Sequence, residues 1–151
     1  MEVTVYTDGS CHSQKKTGAW VAILLYKTRK MVISGKEENT THNRMELTAV
    51  IKAIEYIKDH PGELMVGRVI IYSDSQYVTG LPARKEKLTA TDFITKKGIE
   101  LNNTDLLKKM FGYLNNNHIV LEKVKAHQKR TSKINYNTEA DILSRKLVRG
   151  N

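Results

Sequence analysis

Four carboxylates stand where they can act together. Asp8 follows Val3 to Thr7, in which Val3, Val5 and Thr7 alternate with Thr4 and Tyr6, the period-two pattern of a strand. Gly9-Ser10 reads as the turn after it, so the acid is expected where the strand runs out. Asp74 follows a second β-branched run, Val69-Ile-Ile-Tyr72, in the same manner. Glu46 lies near the start of one helical pattern and Asp141 near the start of another. Singly, each has an ordinary explanation: a turn former, a helix cap, a capping-box acid and a first-turn acid favoured by the helix dipole. Together they describe a different object. Packed acids repel, so such a cluster requires cations. Oxygen donors without a Cys/His cluster favour Mg²⁺ or Mn²⁺ over Zn²⁺. Two such ions about 4 Å apart can activate water and stabilise the leaving oxygen in phosphodiester cleavage.

The elements that must position these acids are legible from periodicity. Trp20 to Tyr26 is an apolar run and reads as a central strand; Lys27 to Lys30 is a hairpin turn, and Met31 to Ser34 a third strand. Leu47, Val50, Ile51, Ile54 and Ile57 then recur at helical spacing, which predicts a helix from Asn43 to about Lys58. Asn43 is its expected N-cap, Glu46 completes a capping-box pattern, and His60-Pro61-Gly62 ends it. A short helix is expected over Asp74 to Thr79, and a basic segment with a short helix and a loop over Pro82 to Gly98. Asn103 or Thr104 caps a helix with the stripe Leu106, Leu107, Met110, Phe111 and Leu114. Ile119 to Val124 is a fifth strand, Ala126 to Tyr136 a basic loop, and Thr138 caps a last helix that buries Ala140, Leu143 and Leu147. This order predicts one α/β domain over residues 1–151, with a five-stranded mixed sheet (three antiparallel strands, then two parallel) flanked by helices. A right-handed crossover makes the first and fourth strands parallel neighbours. Asp8 and Asp74 then share the carboxyl edge at which open α/β sheets bind ligands.

The bulk properties narrow the partner. The 151 residues carry a net charge of +9 and 40% hydrophobic residues, enough for a core and basic enough to favour a polyanion such as nucleic acid. Lys123, Lys125, Lys129, Arg130 and Lys133 cluster without an acid between them, and Arg84, Lys85, Lys87, Lys96 and Lys97 form a second group. A basic surface around a few acids is what a metal-dependent nuclease needs; a pure binding module has no use for the acids. The single cysteine, Cys11, excludes an internal disulfide and points to a reducing compartment. No apolar run is long enough to span a membrane and no signal peptide is recognisable, so a cytoplasmic monomer is expected.

Five segments carry a resemblance: Tyr6-Thr-Asp-Gly-Ser-Cys11, Thr41-His-Asn-Arg-Met-Glu-Leu47, Tyr72-Ser-Asp-Ser-Gln-Tyr77, Val124-Lys-Ala-His-Gln128 and Asn137-Thr-Glu-Ala-Asp141. In this order they resemble the successive motifs of the small cellular, type 1, ribonuclease H. The resemblance implies a ribonuclease H-like fold and endonucleolytic hydrolysis of the RNA strand of an RNA–DNA hybrid, leaving 5′-phosphate and 3′-hydroxyl ends. It implies that Asp8 bridges two Mg²⁺ ions (Mn²⁺ as a substitute), that Asp141 completes the ion on the water side, and that Glu46 and Asp74 hold the ion on the leaving-group side. His127 resembles a mobile histidine that assists proton transfer or product release. Ser10, with the adjoining Gly9 backbone, and Asn43, Gln76 and Asn103 resemble substrate contacts. Asn43 and Gln76 face the minor groove and its 2′-hydroxyls, and Asn103 a phosphate of the DNA strand, alongside its reading as a helix N-cap. Lys85, Lys96 and Lys97 are the expected backbone contacts of the basic segment.

The sequence also departs from the family pattern. His12-Ser-Gln-Lys-Lys16 replaces a glycine- and proline-rich turn, and His42 stands where a small polar residue is usual. The basic segment has no tryptophan, which leaves salt-sensitive phosphate contacts rather than stacking. The histidine loop is longer and more basic than is common, and a separate hybrid-binding domain is not expected. Two other readings compete: a junction resolvase sharing the acid cluster, and a catalytically silent hybrid-binding protein. The Asn43-to-Glu46 motif and Gln76 speak against the first, and the presence of all four acids against the second.

Overall fold

A computed structural model describes residues 2–60, 67–116, 118–124 and 135–149. The strands are β1 (Glu2–His12), β2 (Thr17–Tyr26), β3 (Arg29–Glu37), β4 (Arg68–Ser73) and β5 (Ile119–Lys123). The helices are α1 (His42–Asp59), α2 (Gln76–Thr79), α3 (Leu81–Ala90), α4 (Thr104–Leu114) and α5 (Tyr136–Arg149). The sheet runs β3-β2-β1-β4-β5, with β1, β2 and β3 antiparallel and β4 and β5 parallel to β1. This is the mixed sheet the element order predicts.

Alternation along the central strand β1 divides the protein into layers. Val3 and Val5 point to the face on which α1 lays Leu47, Val50, Ile51 and Ile54, and this side forms the main core with α4. Tyr6 points to the opposite face, where Val21 and Ile23 of β2 meet Ala140, Leu143 and Leu147 of α5. Trp20 is core, as its strand context predicts. It packs on Met45 and Ala49, over Gly35 of β3, where any Cβ would run into the indole.

Several local expectations are corrected. β1 does not stop at Asp8. Its parallel ladder with β4 ends at Tyr6 opposite Tyr72, but its antiparallel ladder with β2 continues to His12 opposite Thr17. Gly9 and Ser10 are poor strand formers in isolation, and the long partner β2 overrides their preference. The N-cap of α1 is Thr41, not Asn43: the Arg44 N–H donates to its hydroxyl at 3.2 Å. The last helix begins at Tyr136, and the Thr138 N–H donates to the Asn135 side chain at 3.1 Å, so Asn135 and not Thr138 serves as the cap. Asn103 sits at the N-cap position of α4 in the left-handed region (φ 66°), yet its side chain makes no capping bond. The short helix after Asp74 is confined to Gln76–Thr79, capped by the Ser75 hydroxyl. Pro61, Gly62, Asn117 and the basic loop up to residue 134 lie outside the described residues.

Candidate active site

Asp8 and Asp74 reach the site from β1 and from just past the end of β4, where the parallel ladder runs out. Glu46 arrives from α1, across the sheet. It can do so because residue 9 is glycine: a Cβ there would overlap the backbone of Met45 and Glu46. The Gly9 N–H instead donates to Glu46 Oε1. Glu46 is therefore not a capping acid. With Thr41 as N-cap, the capping-box position falls on Arg44, and Glu46 is turned inward.

Oxygens of Asp8, Glu46 and Asp74 lie within 4.8 Å of one another. Asp8 is 4% and Glu46 1% exposed. Burial, reinforced by the neighbouring Asp74 and Asp141 charges, pushes Asp8 up to about 7 against the opposing hydrogen bond from Ser144. Burial and the charges of Asp8 and Asp74 push Glu46 up to about 9. Glu46 Oε2 is buried with no hydrogen-bond partner. A buried carboxylate oxygen with no N–H or hydroxyl donor, beside two further carboxylates, is satisfied either by a proton shared with Asp8 or by a divalent cation.

Asp141 is not a member of this tight group among the described residues. It sits near enough to raise Asp8 by its charge, and its own Oδ1 accepts from Arg145 Nε at 3.0 Å, one turn along α5. His127 lies outside the described residues.

The expected substrate contacts divide. Asn43 and Asn103 line one groove of about 910 Å³ together with His42, Arg44, Tyr77 and Arg84. Gln76 is exposed at the start of α2, beside Tyr77 and two residues beyond Asp74. Within the groove Arg44 grips Asp105 with two nitrogens, at 3.0 and 2.7 Å, and donates to Asn103 Oδ1 at 3.3 Å. The Asn103 amide donates to the Tyr77 hydroxyl at 3.3 Å. Ser10 is turned to α5, its hydroxyl 2.8 Å from that of Ser144. Lys85, Lys96 and Lys97 are not part of the groove lining. The Lys85 amine donates to Asn115, and Lys96 and Lys97 are exposed in the segment after α3.

The chain matches the family profile described as RNase H over residues 1–149. The chain belongs to the ribonuclease H family. It is 34% identical over 150 residues to the ribonuclease H of Caldicellulosiruptor saccharolyticus, covering 98% of this chain and 97% of that one. It is 36% identical over 148 residues to that of a Wolbachia of Drosophila simulans, covering 97% and 95%. Among solved structures, LC9-RNase H1, described as a type 1 RNase H with the type 2 active-site motif, superposes with a TM-score of 0.77 at 23% identity, over 99% of this chain and 72% of that one. A foamy viral protease–reverse transcriptase, solved with double-stranded DNA, superposes with a TM-score of 0.76 at 20% identity, over 99% and 95%. These two share the fold. As a member of the ribonuclease H family, the protein is a ribonuclease acting on RNA–DNA hybrids, and its three gathered acids suit the family's use of divalent metal ions. No described helix is long and apolar enough to cross a membrane.

Two residues of this ribonuclease H site escape a reading based on motifs. Arg44 had a signal: a cation in the first turn of a helix opposes the macrodipole and needs a reason, here the Asp105 carboxylate. Ser144 had one too. It is a polar residue on the apolar stripe Ala140–Leu143–Leu147, and it is fully buried because its partner is Asp8.

Proposed function

We propose that the protein cuts the RNA strand of RNA–DNA hybrids endonucleolytically by two-metal-ion catalysis, leaving 5′-phosphate and 3′-hydroxyl ends. The observation that carries this reading is the Asp8–Glu46–Asp74 cluster, with its orphaned Glu46 Oε2, at the carboxyl edge of the parallel strands. Asp8, Glu46, Asp74 and Asp141 are the ligands we assign to two Mg²⁺ ions, with Mn²⁺ as a substitute. Bound there, the ions supply positive charge that lowers the pKa of an attacking water and offsets the charge building on the leaving 3′-oxygen.

The remaining work falls to the chain itself. Burial and the hydrogen bonds from Ser144 and the Gly9 N–H hold Asp8 and Glu46, so the acids are pre-set before substrate arrives. Asn43 and Gln76 offer amide groups to base edges and 2′-hydroxyls, which marks the RNA strand. Asn103, held by Arg44 and Tyr77, presents its side chain in the groove where a DNA-strand phosphate docks. The backbone of Gly9 and Ser10 is where the RNA strand approaches, the Ser10 hydroxyl being turned to Ser144. Lys85, Lys96 and Lys97 contribute sequence-independent attraction to phosphates. His127 assists proton transfer or product release. We read residues 1–151 as a single catalytic domain, acting as a monomer in the cytoplasm, where the lone Cys11 stays reduced.

A labelled RNA–DNA hybrid incubated with Mg²⁺ or Mn²⁺, beside double-stranded RNA, double-stranded DNA and a four-way junction, tests the reading. Internal cuts confined to the RNA of the hybrid, lost with a chelator and with Asp8→Asn, are expected. Preferential cutting of the junction, or full activity of Asp8→Asn, would overturn it.

A further inference from the structure

Ser144 lies on α5 one turn beyond Asp141, and its side chain has no exposed surface. Its hydroxyl donates to Asp8 Oδ2 at 2.6 Å and lies 3.1 Å from the Asp141 carbonyl oxygen. It also stands 2.8 Å from the Ser10 hydroxyl. A serine has one proton to give. The shortest contact takes it to the Asp8 carboxylate, so the Ser10 hydroxyl is the donor to Ser144. The result is a directed chain, from Ser10 through Ser144 to Asp8, that joins two residues of β1 to the helix carrying Asp141.

Neighbouring side chains leave this role to Ser144. The other inward residues of α5, Ala140, Leu143 and Leu147, are apolar and make the helix–sheet contact without specifying where Asp8 points. The Glu46 carboxylate is held by the Gly9 N–H and not by Ser144. Asp141 is tied along its own helix to Arg145. Among the described residues, the hydrogen bond that links the strand bearing Asp8 to the helix bearing Asp141 therefore passes through Ser144.

We infer that Ser144 is a positioning residue for the metal-binding acids: its hydroxyl fixes the Asp8 carboxylate and clips α5, with Asp141, onto β1. The Ser144 hydroxyl uses one lone pair of Asp8 Oδ2, which leaves the side of that carboxylate shared with Glu46 to face a cation. Hydrogen bonds that orient a ligating carboxylate raise metal affinity without touching the metal, and their loss costs about 10–100-fold. The inference rests on the cation-site reading above.

The experiment is a Mn²⁺ titration of the metal-free protein, followed by the electron paramagnetic resonance signal of free Mn²⁺, for wild type, Asp8→Asn, Ser144→Ala and Ser144→Thr. Alanine is smaller than serine and a better helix former, so Ser144→Ala retains α5. Ser144→Ala is expected to weaken Mn²⁺ binding about ten-fold, the low end of that range. Its affinity for an RNA–DNA hybrid in chelator should match wild type, and its cleavage should recover at saturating Mg²⁺. Ser144→Thr, which keeps the hydroxyl, should bind Mn²⁺ nearly as wild type does. Equal Mn²⁺ affinity in wild type and Ser144→Ala, or a Thr variant as weak as the Ala variant, overturns the inference alone. Wild type that binds no Mn²⁺ beyond what Asp8→Asn binds overturns the cation-site reading, and the inference with it.

Discussion

Neutralising Asp8 should make the metal-free protein more stable, by an amount that grows between about pH 4 and pH 7. Asp8 is raised from 3.8 to about 7 in the folded protein, first by burial. The folded state thus holds the proton more tightly than the unfolded chain. Its stability is fully present below about pH 4 and is lost as pH rises through 7. Glu46, raised from 4.5 to about 9, extends the loss to higher pH. For Asp8 alone, moving from 3.8 to about 7 corresponds to about 4 kcal/mol of destabilisation once both states are ionised. Relaxation of the acids and entry of water at the sheet edge reduce this, and about 2 kcal/mol is the expected reading, or roughly 4–8 °C in melting temperature. Asp8→Asn keeps the shape: the new amide oxygen can accept from Ser144, and its N–H groups face the Glu46 carboxylate. Urea unfolding of wild type and Asp8→Asn in chelator, at pH 5 and pH 8, measures the effect. The variant should be more stable at both pH values, with an advantage at pH 5 less than half that at pH 8, and Mg²⁺ at pH 8 should close the gap by stabilising wild type alone. A variant no more stable at pH 8, or an advantage equal at both pH values, refutes the repulsion account.

Further outcomes follow from the geometry. Gly9→Ala puts a methyl group into the backbone of Met45 and Glu46. It should cost about 2–3 kcal/mol in urea unfolding, and should impair cleavage even where the protein is folded, because α1 must withdraw Glu46 from Asp8. Arg44→Ala removes the two-nitrogen grip on Asp105 and the contact to Asn103. Hybrid binding should weaken several-fold with kcat little changed, while stability falls by about 1 kcal/mol or less because the ion pair is partly exposed; a large fall in kcat at saturating hybrid would count against a purely substrate-binding groove. A Lys96→Ala/Lys97→Ala double variant should lower the slope of log affinity against log salt by about 1–2, with cleavage at saturating hybrid unchanged; an unaltered slope removes these lysines from the interface.

Much of this protein is legible in its sequence, and the reason is periodicity. A strand or helix that buries one face writes its period into its own residues, as Val3, Val5 and Thr7 do for β1 and Leu47, Val50, Ile51 and Ile54 do for α1. The order of those elements, with a right-handed crossover, was enough to place Asp8 and Asp74 on neighbouring parallel strands. Local capping was less legible. Thr41 took the place of Asn43, and Asn135 that of Thr138, because several adjacent polar residues can all cap and the packing of the helix selects one.

The acid cluster owed its types to the sequence and its electrostatics to the tertiary structure. Sequence alone identified Asp8, Glu46 and Asp74 as acids that could meet, and offered turn and capping roles for each. Only the packing of α1 over Gly9 turned Glu46 from a capping acid into a buried one, and only the length of β2 kept Asp8 inside a strand where a turn was expected. The same packing removed water from both carboxylates, which is what raises them so far above their ordinary values. Ser144 is the clearest case. Nothing in its spacing names Asp8, 136 positions away, as its partner; that contact exists because α5 folds back on the far face of β1. Periodicity is a local property and survives in the one-dimensional chain, whereas burial and charge proximity depend on which distant elements are brought together.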